Sequence, residues 1–495
     1  MPSRVVRYRP GPSPAVAEPG SLARRFAAIR EQLHVPDGFP AEVLAEADQA
    51  VAAAVDGAGG GSRGAQDLRE LGFWTLDPVG SMDLDQAMLL ERSGVGYRVR
   101  YAIADVPAFV VPGGALDLEA RRRGQTIYLP DDRVPLHPPV LSEGAASLLP
   151  GRVRPAYVWE FELDADAVPT STRVRRALVR SVARRDYGQV QATVDAETPD
   201  EQVVLLREIG RKRQALEQQR GGASLPMPEQ QVVHDGAGRY RLEYRPPVEA
   251  EDWNAQISLL TGMAAAQLML TGGVGVLRTM PAPQQDSVRR FRRQARALGV
   301  PWPDGQRYGD FLRSLQRADP RHLALIHEAT SLFRGAGYTS FDGALPEARE
   351  HAAVAAPYAH VTAPLRRLVD RFGLVVCAAL SAGQPVPEWA RTALGQLPAL
   401  MSEGDRRAGA VERACTDAVE AAVLVSQVGA DFAAVVVDRT SRQVPIVQLS
   451  DPAVLAPAEG HGEPGDSVTV TVRGADVAAG RVDLVIRAGP RAAQA

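Results

Sequence analysis

The segment T-L-D-P-V-G-S-M-D-L-D-Q, from Thr75 to Gln86, carries three carboxylates within nine residues: Asp77, Asp83 and Asp85. The proline, glycine and serine between them favour a turn over a helix, so the chain can fold the carboxylates toward one point. Carboxylates this close repel one another unless a cation neutralises them. Oxygen ligands without nitrogen or thiolate neighbours suit Mg²⁺ or Mn²⁺. The segment therefore predicts a divalent-metal site that acts on phosphate.

Two other interpretations of the same segment remain open. An Asp-x-Asp pair can belong to a solvated acidic loop, because short motifs often match by chance. A calcium loop is the second interpretation. Its EF-hand form needs acidic residues at positions 1, 3 and 5 and glycine at position 6, which this spacing does not provide.

Five blocks of sequence follow one another in an order that carries more information than any single motif. They read D-P-V-G-S-M-D-L-D-Q-A, Y-A-I-A-D-V-P-A-F-V, P-G-G-A-L-D-L-E-A-R-R-R-G-Q-T-I-Y-L-P-D-D-R-V-P-L-H-P, L-S-E-G-A-A-S-L-L-P and, from Tyr358 to Arg367, Y-A-H-V-T-A-P-L-R-R. This series resembles the core of the RNB family, the ribonuclease II and ribonuclease R type 3′→5′ exoribonucleases. Several motifs in the same order make chance agreement improbable.

The resemblance implies an α+β fold, in which an RNB catalytic domain of mixed β-sheet is surrounded by helices. We expect a helical N-terminal region at 1–68, the catalytic domain at 69–425 and a small C-terminal OB-fold-like β-barrel at 430–488. Ribonuclease II and R relatives carry cold-shock barrels before the catalytic domain. The first 68 residues instead predict a mobile proline-rich arm (2–19), two amphipathic helices (22–33 and 40–55) and a glycine-rich linker (57–64), so we expect a form without those barrels.

Periodicity predicts the individual elements. The predicted strands are 73–76, 86–92, 97–104, 154–163, one beginning at 177, a hairpin at 230–244 with its tip at Asp235, and four in the tail after 431. The predicted helices are 114–124, 201–219, 253–270, 286–298, one that Thr362 could cap, and 403–425.

The resemblance also implies roles for individual residues. Asp77, Asp83 and Asp85 correspond to metal ligands for Mg²⁺ or Mn²⁺, and Asp85 and Arg366 are the catalytic candidates. Three residues are candidates for substrate binding: Arg366 for the phosphate of the scissile bond, Tyr187 for stacking on the 3′-terminal base, and Glu412 for the terminal ribose. From the residues alone, Tyr187 could equally be an ordinary half-buried tyrosine.

The implied activity is hydrolysis of single-stranded RNA from its 3′ end to 5′-nucleoside monophosphates. One departure from the family pattern bears on it, because Gln86 stands where the family has a fourth carboxylate. The alternative is therefore a catalytically weak or silent RNA-binding or scaffold protein with the same fold.

Composition constrains the partners. The formal net charge is −3, so an RNA channel would need a local basic lining. A candidate is 286–298, with five arginines, which could line a phosphate path or be a solvated helix face.

No run of about eighteen apolar residues or signal-peptide pattern occurs, and we expect a cytoplasmic monomer that binds single-stranded RNA and no membrane. Cys377 and Cys415 are expected to be buried thiols.

Overall fold

The computed structural model describes residues 5–8, 21–55, 64–234, 240–245 and 248–487. Its strands are β1 Val5–Tyr8, β2 Gln66–Asp67, β3 Phe73–Asp77, β4 Gln86–Ser93, β5 Gly96–Ala104, β6 Ile127–Tyr128, β7 Arg133–Val134, β8 Val153–Leu163, β9 Pro169–Asp186, β10 Glu229–His234, β11 Tyr240–Arg245, β12 Val274–Thr279, β13 Gly337–Asp342, β14 Glu350–His351, β15 Ala356–Pro357, β16 Asp431–Arg439, β17 Pro445–Leu449, β18 Leu455–Glu459, β19 Ser467–Asp476 and β20 Arg481–Ile486.

The α-helices are α1 Ser21–Gln32, α2 Ala41–Val55, α3 Ala115–Arg123, α4 Tyr187–Asp195, α5 Glu201–Arg220, α6 Glu249–Gly272, α7 Gln285–Ala297, α8 Tyr308–Ser314, α9 Pro320–Ala329, α10 Leu368–Ser381, α11 Glu388–Ala393 and α12 Leu397–Leu424. In the part of the chain that the structure describes, none of them has the length and apolar character that crossing a bilayer requires.

A mixed sheet in the order β2-β9-β3-β4-β5-β8 forms the centre of the fold. The eighteen-residue β9 pairs antiparallel with β8 along its first part and parallel with β3 along its last six residues, so the sheet closes on itself. Bulky side chains of this sheet, including Trp74, Tyr101 and Trp159, are buried under α5, α6 and α10. The predicted α+β class with a mixed sheet surrounded by helices is confirmed.

A second sheet forms the C-terminal barrel, which closes in the order β16-β17-β18-β20-β19. It packs against α9 and against the long helix α12. The sequence predicted four strands here and missed β18. Its segment, L-A-P-A-E, contains a proline and no β-branched residue, so it carries no strand signal although tertiary pairing with β17 and β20 makes it one.

Other expectations need correction at the N-terminus. Residues 5–8, which lie inside the predicted mobile arm, form β1 and pair in parallel with β10. The rest of that arm, most of the glycine-rich linker and the tip of the β10–β11 hairpin lie outside the described residues. Cys377 and Cys415 are free and buried, as predicted.

Candidate active site

Three strand ends meet at one edge of the central sheet and bring the first candidate residues together. β3 ends at Asp77, and its parallel neighbour β9 ends beside it, with Asp77 opposite Asp186 in the register. Tyr187 follows at once as the first residue of α4. β4 begins at the same edge with Gln86. Because β3 and β9 run in parallel, residues more than one hundred positions apart become neighbours.

The loop between β3 and β4 is held by a buried serine. Gly80 has a φ of +85°, which a glycine adopts without strain, and the Ser81 backbone N–H closes the turn onto Pro78. The Ser147 hydroxyl donates to the Met82 carbonyl (2.6 Å) and accepts from the Leu84 N–H (2.9 Å). These bonds set the backbone on both sides of Asp83, so the acidic loop is a defined structure.

The second motif joins the first through Asp85. The Leu365 backbone N–H donates to Asp85 Oδ1 at 2.8 Å, and Arg366 Nε lies 3.6 Å from Asp85 Oδ2. Asp85 is buried, whereas the Arg366 side chain is 42% exposed. The guanidinium therefore reaches from a buried carboxylate toward solvent, where a substrate anion could bind it.

Thr362 does not cap the following helix, so that prediction is wrong. α10 begins only at Leu368, and Asp370 from its first turn accepts hydrogen bonds from the Ala363 N–H and from Arg367. The Thr362 hydroxyl instead pairs with Ser258 on α6 at 2.9 Å. A cap at Thr362 would need the Leu365 N–H, because Pro364 has none, and Asp85 already binds that N–H. Arg366 thus precedes the helix and does not lie in its first turn.

Burial and mutual repulsion leave the negative charge of this site poorly compensated. Burial, together with the charge of Asp83, raises the pKa of Asp77 to about 7, against the opposing effect of Arg366 and Arg184. Burial also raises the pKa of Asp85 well above its usual range, although Arg366 and the Leu365 N–H favour the ionised form. A bound cation would favour the ionised form of both groups.

The carboxylate oxygens at this edge are suitable ligands for a hard divalent ion, but they do not converge on one metal position. Asp77 Oδ2 is buried and has no hydrogen-bond partner, which is the condition of an oxygen that lacks its ligand. Asp83 is engaged by Arg133, whose Nη1 lies 3.1 Å from Asp83 Oδ1 and whose Nη2 lies 2.6 Å from Glu143. No three acidic, histidine or cysteine side chains in the described ranges converge on one metal position. An ion would fit best beside Asp77 and Asp83, because their carboxylates repel each other.

Both polar atoms of the Gln86 side-chain amide are hydrogen-bonded within the protein. Its Nε2 donates to the Thr362 carbonyl at 2.5 Å, and its Oε1 accepts from the buried Tyr101 hydroxyl at 2.9 Å. The first bond spans 276 positions in sequence. Gln86 therefore joins the start of β4 to the segment 360–367 that carries Arg366, which we call the arginine loop. An ionised carboxylate could not make this bond, because it cannot donate.

Two further candidates, Tyr187 and Glu412, lie outside the acidic β3–β4 loop. The Asn254 amide donates to the Tyr187 hydroxyl at 3.0 Å, and the half-buried ring packs beside the main core. Glu412 lies on α12, and burial raises its pKa. α12 packs against β6, and β6 pairs with β7, which begins at Arg133. Tyr187 thus lies at the sheet edge beside Asp77, and Glu412 lies on a different element, α12.

The sequence analysis missed three residues that bond to the acidic loop or to Gln86: Arg133, Ser147 and Tyr101. Arg133 and Ser147 lie inside the motif blocks P-D-D-R-V-P and G-A-A-S-L-L-P. A search for polar residues embedded in those blocks could have proposed both. Tyr101 carries no such signal, because it reads as one more aromatic residue in an apolar strand.

Comparison with known proteins agrees with the motif order. A family model described as "RNB domain" matches residues 65–377, and one described as "RNase II-type exonuclease C-terminal S1 domain" matches residues 430–487. Ribonuclease R of Escherichia coli K12 is 30% identical over 324 residues, which are 62% of this chain and 39% of that protein. Exosome complex exonuclease RRP44 homolog A of Arabidopsis thaliana is 31% identical over 328 residues, 62% of this chain and 34% of that protein. The chain thus spans less than half the length of these relatives.

Solved structures share the fold at lower identity. Mycoplasma genitalium RNase R in complex with ribose-methylated single-stranded RNA superimposes with a TM-score of 0.83 at 19% identity, covering 94% of this chain and 78% of the other. Yeast Ssd1, described as a pseudonuclease, gives a TM-score of 0.64 at 15% identity, covering 83% of this chain and 53% of the other.

Proposed function

Because the chain belongs to the RNB family, we propose that it is a metal-dependent 3′→5′ exoribonuclease. Its substrate is single-stranded RNA, which it shortens from the 3′ end with release of 5′-nucleoside monophosphates. One observation carries this proposal: the Asp85 carboxylate binds the Leu365 N–H and lies 3.6 Å from Arg366 Nε. Two motifs about 280 residues apart thus join an acidic cluster to an exposed guanidinium, which is the pairing that phosphodiester hydrolysis needs.

In this proposal Asp77, Asp83 and Asp85 hold Mg²⁺ or Mn²⁺. The ion, when bound, polarises the phosphoryl group and lowers the pKa of the attacking water. Asp83 would bind the ion beside its contact with Arg133 or in exchange for it, because a carboxylate accepts more than one partner. The buried Asp77 Oδ2 has no hydrogen-bond partner among the described residues and is open to the ion.

The other residues bind and orient the RNA. Arg366 contacts the phosphate of the scissile bond and stabilises the charge that develops there. Tyr187, beside Asp77 at the sheet edge, stacks on the 3′-terminal base and holds its phosphate over the acidic loop. Glu412 accepts a hydrogen bond from the terminal ribose. Contacts with 2′-hydroxyl groups select RNA over DNA.

A time course with 5′-labelled single-stranded RNA in Mg²⁺ and in Mn²⁺ tests the activity. The matched control is Asp85→Asn, which keeps an oxygen for the Leu365 N–H and removes only the charge. A ladder that shrinks from the 3′ end to a short limit product, and that is absent in the control, supports the exoribonuclease. Intact RNA in both metals would contradict it.

The second candidate is a silent RNA-binding or scaffold protein. Gln86 favours it, because the amide is committed to Tyr101 and Thr362 and adds no negative charge to the cluster. Two-metal assistance can be worth several kcal/mol, on the order of a thousand-fold in rate. RNA that binds tightly to the wild-type protein but stays intact in both metals would select this candidate.

We propose a division into an N-terminal region (1–68), a catalytic domain (69–425) and a barrel (430–488). We also propose that the protein acts as a monomer in the cytoplasm. Gel filtration with light scattering tests the oligomeric state, and cell fractionation tests the location.

A further inference from the structure

The helix α7 has a charge that sets it apart from the rest of the protein. Its thirteen residues carry five arginines and one aspartate, a net charge of +4 in a chain whose formal net charge is −3. Phe291 and Ala295 face inward to a small apolar core. Arg289, Arg293 and Arg296, spaced i, i+4 and i+7, form an exposed line along the other side, which we call the arginine stripe.

The arginine stripe is poorly neutralised. Arg290 pairs with Glu328, and Arg292 lies over the Trp302 ring and beside Asp304, but neither belongs to the stripe. Within the stripe, Arg289 contacts the exposed Asp286, a pair that water and salt screen. Arg293 and Arg296 have no ion-pair partner within 4 Å among the described residues. An ordinary solvated helix face mixes both signs of charge more evenly, whereas Asp286 is the one acidic residue of this helix.

In the chain, α7 follows β12, and its other end lies against the barrel. Its far end meets the barrel, where Leu298 packs against Gly465, and α9 contacts both α7 and β16. Its near end begins five residues after Met280, just beyond β12. A helix of thirteen residues is about 20 Å long, so it can cover several nucleotides.

Near β12, side-chain contacts run from Arg278 through Tyr338 to His360, which lies in the same loop as Arg366. The Arg278 guanidinium lies 4.5 Å from the centre of the Tyr338 ring. The Tyr338 hydroxyl lies 2.8 Å from His360 Nδ1, and His360 is six residues before Arg366 in the arginine loop. The start of α7 is therefore linked by short segments to the loop that carries the catalytic candidate.

We infer that the arginine stripe binds the sugar–phosphate backbone of the RNA whose 3′ end occupies the candidate active site. This inference rests on the proposed function. Guanidinium groups bind phosphate oxygens well and read no sequence. The barrel is less suited to supply this attraction, because residues 431–490 carry eight acidic residues against five arginines. The stripe provides the local basic lining that a chain of negative net charge otherwise lacks.

The test is binding of a labelled single-stranded RNA of about twenty nucleotides, by fluorescence anisotropy in EDTA at several salt concentrations. We expect the triple variant Arg289→Gln, Arg293→Gln, Arg296→Gln to bind about ten- to a hundred-fold more weakly at low salt. Its slope of log K against log salt should fall by about 2, because three phosphate contacts on a single strand contribute about 0.7 each. Glutamine is a good helix former, so the fold should persist, which circular dichroism checks.

The matched control is Arg92→Gln, Arg211→Gln, Arg391→Gln. It removes the same charge from side chains of similar exposure that lie outside α7. Retained binding in this control supports the inference. An equal loss in both variants would show a net-charge effect and overturn it. Unchanged binding in the stripe variant would also overturn it.

Binding in EDTA does not depend on catalysis, so the two proposals can fail separately. A wild-type protein that binds through the stripe but cleaves no RNA in Mg²⁺ or Mn²⁺ defeats only the exoribonuclease. A protein that cleaves RNA but loses no affinity in the stripe variant defeats only the stripe.

Discussion

Asp77 ends β3 with one carboxylate oxygen buried and without a hydrogen-bond donor, next to a second carboxylate on Asp83. Burial and that neighbour raise its pKa from 3.8 to about 7. The folded state therefore holds this proton more tightly than the unfolded state does. In the absence of metal, the stability of the protein should fall as pH rises from about 4 to about 7, by up to about 4 kcal/mol from this group.

Asp77→Asn removes the group whose ionisation destabilises the folded state. The variant should therefore be more stable than the wild type at pH 8 without metal and about equally stable at pH 4. Urea unfolding at both pH values measures the difference. Mg²⁺ at pH 8 should stabilise the wild type and not the variant. Asp67→Asn is the control, because Arg69 lowers the pKa of Asp67 to about 2, and neutralising it should not stabilise the protein at pH 8. Equal curves for wild type and Asp77→Asn would refute the burial argument.

Gln86 stands where the motif resemblance predicts a carboxylate, and its amide is a structural link. Gln86→Glu keeps the length of the side chain and restores the charge, but it cannot donate to the buried Thr362 carbonyl. We expect a loss of about 1–3 kcal/mol of unfolding free energy, since an unpaired buried carbonyl is costly. Denaturant titration measures it, with the exposed Gln267→Glu as control. A variant as stable as the wild type would mean that the link contributes little.

At the scale of elements, the β3–β4 loop depends on a residue that lies outside it. Ser147 bonds the loop backbone on both sides of Asp83. Ser147→Ala leaves the Leu84 N–H without its acceptor and should cost about 1–3 kcal/mol of stability. Because the loop positions Asp83 and Asp85, kcat should fall at least ten-fold with little change in KM.

Kinetics on labelled RNA, beside denaturant unfolding, measure both effects of Ser147→Ala. Ser147→Thr keeps the hydroxyl and should retain part of the activity, which separates the hydrogen bonds from simple loss of volume. If Ser147→Ala lowered stability but left kcat unchanged, the loop would not need this support for the reaction.

At the scale of the whole molecule, the barrel and the catalytic part share apolar contacts. Leu323 on α9 packs with Val437, Ile446 and Leu455 of the barrel, and buried residues of α12 belong to the barrel core. The described parts should therefore unfold together. Leu323→Ala should cost about 2–4 kcal/mol and move one calorimetric transition to lower temperature. Leu44→Ala, at an exposed position, is the control. Two separate transitions, only one of them shifted, would show independent units.

Local sequence signals determined much of this molecule. Alternating apolar residues identified β4, β5 and β8 to within one residue, because side chains of a half-buried strand must alternate between core and solvent. The proline and glycine of the acidic segment predicted its turn, and the order of the motifs identified the family. These properties depend on residues close to one another in the chain.

The tertiary structure alone decided which distant residues meet. The parallel pairing of β3 with β9 sets Tyr187 beside Asp77, and hydrogen bonds across about 280 positions join Asp85 to Leu365. Thr362 had a suitable cap sequence, but Asp85 binds the Leu365 N–H that such a cap would need. A local pattern reports what a segment prefers by itself, whereas hydrogen-bond partners, burial and pKa values depend on the surroundings that folding creates. For that reason the sequence could propose the acidic site but not the links of Gln86, Ser147 and Arg133 that hold it.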